Sequence, residues 1–356
     1  MAKFSSNGEA DFLVGSFAQK MSEFSSRNTA EIDYGDSLVA RKISKLHDSK
    51  IPHAYCGIFG IVRTMKRLFF SVLLFSFFLP IFVSGAGRAI IEIQPKTIMQ
   101  GETLVIKVTP TVFSGTSTIS AWVGSRRLWL FPYNDSFLGF YSAPAKATPM
   151  RYRATIAVNR EPAVKIPVTI KNAKFPVTKL VVTDQLKNSG FTSNTIGSNL
   201  ATNDTPALIG ALAHPSNKPY FTKSFGYPLE KIVNVGAFGN YRKSGKTVLQ
   251  HLGTDLEATP GTPVYAINDG VVTMATRLIN YGNTIVIDHG AHIFSMSLHL
   301  DRFSVSPGDR ITKGQIIGYS GNTGYSIAPH FHLSVNVNGT SIDPLKFIET
   351  TQTAMK

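Results

Sequence analysis

Apolar and polar side chains alternate with a period of two in stretch after stretch of this chain, and a sequence patterned this way builds sheets. In "AVKIPVTIK", Val164, Ile166, Val168 and Ile170 share one face, with Lys165, Thr169 and Lys171 opposite. "ETLVIKV" and "YRATIAV" repeat the pattern, and "QGE", "FSGTS" and "YND" punctuate it. About seven such strands across residues 88–172 predict a small immunoglobulin-like β-sandwich. That stretch holds no histidine, which suits a spacer or binding module. Residues 173–216 shift to Ser, Thr, Asn and Gly and read as a linker. Within it, "TPALIGALA" predicts one short helix, capped by Thr205 with Pro206 at the first helical position. Residues 217–350 return to strands in "NTIVIDHG", "IFSMSLHL" and "HFHLSVNV". The chain is therefore expected to be mainly β, in two units.

The N-terminal part is of another kind. From Met65, "MKRLFFSVLLFSFFLPIFVSGAGRA" sets a basic start before an apolar run and then small residues, the layout of a secretory signal peptide over residues 65–87. The run 68–83 is short for a membrane span, though it could also serve as an anchor. Residues 1–64 are polar and aperiodic and hold the single cysteine, Cys56. They read as an upstream extension absent from the working protein, which would then be exported to the periplasm, cell envelope or medium. Residues 1–87 hold 10 of the 36 basic and 7 of the 22 acidic residues, so the remainder keeps a charge of +11. Such a balance favours an anionic neighbour. Nucleic acid is not expected, because basic residues and aromatics do not interleave in a stripe. Without cysteine, any metal must be held by His, Asp or Glu.

Six of the nine histidines lie between residues 251 and 332. His251 and Asp255 in "HLGTDLEA" are four apart, a spacing that shares a face on either a helix or a strand. In "PHFHLSVNVNG", His330 and His332 share the outward face of a half-buried strand, roughly 6.5 Å apart, while Phe331 and Leu333 anchor it in the core. His299 closes "IFSMSLHL", where alternation places it with Ser295 and Ser297, opposite Phe294, Met296 and Leu298. Two histidines and a carboxylate make a common catalytic zinc set. His214, His289 and His292 read as loop or hydrogen-bonded structural residues. Gly321 and Gly324 read as turn formers, since no Lys-Ser/Thr follows them.

The ordered set "HLGTD … GTPVYAINDGVV … YGNTIVIDHG … SLHL … VSPGDRITKGQIIGYSGNTGYS … PHFH … DP" closely resembles the lysostaphin/LytM-type zinc metallopeptidases over about residues 220–350. Phe238, Gly239 and Arg242 in "VNVGAFGNYR" resemble the family's entry strand. The resemblance implies a LytM-type antiparallel β-sheet domain that cuts peptide bonds in peptidoglycan. It implies one Zn2+ per chain on His251, Asp255 and His332, with His299 and His330 as non-ligand catalytic histidines. Two departures stand out: Ser334 replaces the glutamate usual after the paired histidines, and Ile327–Ala328 replace Thr-Gly. Degenerate relatives act instead as wall-binding regulators or amidase activators, but here all five site positions are filled. Four linker asparagines (Asn188, Asn194, Asn199 and Asn203) are candidates to enter the cleft as neutral oxygen donors.

Overall fold

The computed structural model describes residues 89–356 except 112–117, 160 and 246, so the segments 1–64 and 65–87 lie outside it. The chain is mainly β. Its first nine strands are β1 (Ala89–Gln94), β2 (Thr97–Met99), β3 (Thr103–Pro110), β4 (Ile119–Val123), β5 (Arg126–Leu128), β6 (Leu130–Tyr133), β7 (Ser136–Ser142), β8 (Met150–Val158) and β9 (Val164–Lys171). They form a four-stranded sheet, β1-β3-β7-β6, and a five-stranded one, β2-β9-β8-β4-β5. The alternation explains their packing. Leu104, Ile106 and Val108 of β3 meet Ile156 of β8 and Ile166, Val168 and Ile170 of β9 in one apolar core.

The four-stranded sheet is apolar on its other face too. Val105, Phe131, Tyr133, Leu138 and Phe140 join a second core with Phe221, Phe225 and the C-terminal helix. That helix, Pro344–Ala354, is capped by Asp343, whose carboxylate accepts from the Leu345 and Lys346 amides, and Pro344 stands in its first turn. Phe347 of the helix packs 5.8 Å from Phe140 and 4.7 Å from Phe225, centroid to centroid. Hydrogen bonds reinforce the seam, from Arg126 Nη2 to Asn338 O (2.6 Å) and Tyr133 Oη to Met355 O (3.1 Å).

A parallel pairing links β10 (Val177–Lys179) to β12 (Tyr241–Ser244), which turns into β13 (Thr247–Gln250). The large sheet contains β11 (Asn234–Gly236), β14 (Thr254–Leu256), β15 (Pro263–Tyr265), β16 (Gly270–Leu278), β17 (Gly282–Gly290), β18 (Ile293–Phe303), β19 (Arg310–Ile311), β20 (Ile316–Ser320), β21 (Phe331–Val337) and β22 (Thr340–Ile342). Its main path runs β11-β14-β21-β18-β17-β16-β19. Phe331, Leu333, Val335 and Val337 face the second core, as their spacing requires. The opposite face is covered as well, so β21 is buried along its whole length rather than half-buried.

Three short helices precede the large sheet, α1 (Asp184–Asn188), α2 (Ser193–Asn199) and α3 (Thr205–Ala211), with a π-helical turn at Leu200–Asp204 between the last two, and α3 lies over the opposite face. Thr205 lies inside α3 and does not cap it. Asp204 precedes the helix in helical backbone, and its carboxylate instead accepts from the Ile279 and Asn280 amides at 2.8 and 2.7 Å. Leu208 and Leu212 pack on Met274, Phe294, Met296 and Leu298. Among the described residues, no helix is long and apolar enough to cross a membrane.

Phe140 is 1% exposed at the seam between the four-stranded sheet and the C-terminal helix. Phe140→Ala should therefore lower unfolding free energy by about 3–5 kcal/mol. Urea denaturation read by tryptophan fluorescence checks this, and an unchanged midpoint would mean that the seam carries little of the stability.

Candidate active site

His251 follows β13 directly, and Asp255 sits in the middle of β14. The four-residue spacing thus spans a kink and not one regular element. Gly253 makes the kink possible, because a Cβ there would collide with His332 Nε2 and Ser334 Oγ. Asp255 is opposite His332 in the β14–β21 register, which brings the carboxylate under the imidazole. His251 Nε2, Asp255 Oδ1 and His332 Nδ1 then converge, with separations of 3.0, 3.1 and 2.8 Å.

Hydrogen bonds behind the rings assign their tautomers. His251 Nδ1 lies 2.9 Å from Ala237 O, which can only accept, so the proton is on Nδ1 and the Nε2 lone pair is free. Ser334 Oγ gives its proton to Leu252 O and therefore accepts from His332 Nε2–H at 2.8 Å, leaving the His332 Nδ1 lone pair free. Arg242 Nη2 donates to Asp255 Oδ2 at 2.8 Å, so Oδ1 alone faces the imidazoles. Three electron pairs with no proton between them thus aim at one point. A cation fits that donor set: tetrahedral zinc with bonds near 2.0–2.1 Å needs ligand separations of roughly 3.3 Å, close to those present.

His299 reaches the same cleft by an irregularity. Strict alternation would send it to the core face with Ser295 and Ser297, which pair with Val335 and Leu333. The β17–β18 register slips between Ser297 and Leu300, and His299 adopts a positive φ of 59°. This bulge turns the imidazole to the side of Leu298 and His332. Its Nδ1–H donates to Thr323 O at 2.8 Å, and its ring lies 4.9 Å from that of His330. His330 precedes β21, donates Nδ1–H to Ala328 O at 2.8 Å, and holds Nε2 3.5 Å from Asp255 Oδ1.

The electrostatics follow from this packing. Burial pushes the Asp255 carboxyl up, but the surrounding imidazoles of His251, His330 and His332 outweigh it and hold the group well below the usual range. Burial, with His330 and His332 nearby, pulls His299 down to about 3. Burial also takes His332 down to about 4. His330 is likewise pulled down by burial, but its bond to Asp255 raises it overall.

The cleft wall is apolar: Leu180, Ile196, Leu200, Leu208, Tyr281 and Tyr325 stand around the histidines. None of Asn188, Asn194, Asn199 and Asn203 is among its lining residues. Ser334 and Arg242 carry more than their spacing suggested. Period two already placed Ser334 beside His332, whereas nothing in the spacing marked Arg242 as the partner of Asp255. Of the remaining histidines, His214 is exposed, His292 bonds Asn217 Oδ1, and His289 is sealed between Asp269 O and Ser295 Oγ.

Residues 249–344 match the model of peptidase family M23. The chain belongs to that family. It is 42% identical over 101 residues to peptidoglycan DD-endopeptidase ShyA of Vibrio cholerae, covering 28% of this chain and 24% of that relative. It is 42% identical over 108 residues to glycyl-glycine endopeptidase ALE-1 of Staphylococcus capitis, covering 28% and 29%. The catalytic domain of lysostaphin from Staphylococcus simulans is 32% identical, with 33% of this chain and 92% of that one covered at a TM-score of 0.30. The chain spans about a quarter of the length of the curated relatives it matches. M23 is a family of metallo-endopeptidases with named peptidoglycan endopeptidases among its members, so the LytM-type resemblance of the motifs holds.

His289 gives a stability test that leaves the three converging donors alone. Burial lowers it to about 4, against about 6.5 when unfolded. Between those values the unfolded chain binds the extra proton, so the contribution is full above about pH 6.5 and is lost as pH falls toward 4. Urea midpoints should fall between about pH 7 and pH 4.5, and fall less in His289→Gln. The same fall in both proteins would contradict a buried neutral His289.

Proposed function

We propose that this chain is an exported zinc-dependent endopeptidase that hydrolyses peptide bonds in bacterial peptidoglycan. The observation that carries the reading is the convergence of three unprotonated donor atoms, His251 Nε2, Asp255 Oδ1 and His332 Nδ1, beside two further imidazoles. These three residues would hold the ion. Zinc bound there would acidify water and polarise a carbonyl.

The other residues have work of their own. Arg242 fixes the carboxylate so that a single oxygen faces inward, and Ala237 O and Ser334 Oγ fix both ring tautomers. His299 and His330 each spend Nδ1–H on a carbonyl, which leaves both Nε2 lone pairs to take a proton or, once protonated, to donate to an oxyanion. The apolar wall excludes water and receives the non-polar parts of a stem or bridge peptide. Residues 88–172 serve as an immunoglobulin-like sandwich module, and residues 65–87 as the export signal. The charge of +11 beyond residue 87 suits an anionic wall.

Two variants separate the roles. His332→Ala should lose both activity and most bound zinc, whereas His299→Ala should lose activity and keep zinc. Metal content by mass spectrometry, alongside muropeptide digestion read by mass analysis, checks both and identifies the bond cut. Equal zinc loss in the two variants would contradict the division.

A further inference from the structure

The five-stranded sheet spends one face on the core it shares with β1-β3-β7-β6 and turns the other to solvent. The register sets what stands on that outer face. Arg127, Trp122, Thr155 and Lys165 form one row across β5, β4, β8 and β9, with Arg153 beside Pro167 and Arg151 beside Thr169. Lys171 extends the set at the end of β9 beside Met99. Arg127, Arg151, Arg153, Lys165 and Lys171 are all exposed, and Arg151, Arg153, Lys165 and Pro167 line a shallow trough. None of the five strands contains an aspartate or glutamate. Arg126 points inward instead, to Asn338 O.

We propose that this outer face docks on an anionic phospholipid surface. Five exposed cations with no carboxylate among their strands suit anionic headgroups, and a half-buried tryptophan in the same row suits a headgroup boundary. The layering favours a membrane over the polymer to be cut. Outward from the basic face come the five-stranded sheet, the four-stranded sheet, the C-terminal helix with Phe221 and Phe225, the large sheet, and only then the cleft. Cations meant to hold the substrate would flank the cleft, but these stand at the far end of the stack. Docked this way, the protein faces its cleft away from the lipid. The choice of lipid over wall rests on the peptidase reading, whereas vesicle binding by the basic face is measured independently of cleavage.

Co-sedimentation with vesicles of the chain as exported, without residues 1–87 and their apolar run, tests it, using phosphatidylcholine alone and mixed with phosphatidylglycerol. Each Lys or Arg near an anionic surface strengthens partitioning about fivefold. The triple variant Arg151→Ser/Arg153→Ser/Lys165→Ser should therefore lose about a hundredfold of the binding to the mixed vesicles. Lys165→Gln alone should lose about fivefold, and Arg151→Lys/Arg153→Lys should keep the binding. High salt should erase the difference between parent and triple variant, while cleavage of a soluble peptide substrate stays unchanged. Parental binding by the triple variant and by Lys165→Gln would overturn the proposal. Loss of binding to purified sacculi with vesicle binding intact would also overturn it and assign the face to the wall.

Discussion

A carboxylate buried among imidazoles is tolerable only if positive charge meets both of its oxygens. Asp255 satisfies one oxygen with the Arg242 guanidinium and offers the other to His251, His332 and His330. Because Ala237 O and Ser334 Oγ have already claimed the outward ring protons, the inward nitrogens can answer only with lone pairs. A cation at the point where the three lone pairs meet would supply the remaining positive charge, which makes the cluster a candidate metal site.

The fold's contribution is placement. One large sheet carries the apolar side chains of β21 down onto the core and its histidine up toward β14, so register alone brings His332 over Asp255. Two local departures complete the set: the glycine kink at residue 253 and the left-handed bulge at His299. Below the sheet, the C-terminal helix and the four-stranded sheet give a rigid floor, with Phe140, Phe347 and Phe225 in contact. Above it, α2 and α3 build the cleft wall, tied down by Asp204 at the Ile279–Asn280 turn.

Much of this was legible in the sequence. Alternation marked β9 and β21 and assigned Phe331 and Leu333 to the core, and the ordered motifs pointed to M23. Alternation also misled at His299, because a bulge resets the phase and no local residue announces it. The 173–216 stretch, polar in composition, folds into helices in which Ile196, Leu200 and Leu208 line the cleft and Leu186 packs behind them against Leu180 and Phe191. Averaged composition hides so sparse a stripe. Ser334 stood out only as a departure from the family pattern. Its value as a proton acceptor for His332 depends on Leu252 O taking its own proton, a contact 82 residues away in sequence.

X-ray absorption spectroscopy at the zinc edge reads the ligand set itself. The full chain loaded with one equivalent of zinc should show a low-coordinate site with two imidazole nitrogens and one carboxylate oxygen from the protein. His251→Ala and His332→Ala should each remove one imidazole from that shell, and His299→Ala and His330→Ala none. A shell that loses an imidazole in His299→Ala, or keeps both in His332→Ala, would contradict the assignment of the three converging donors.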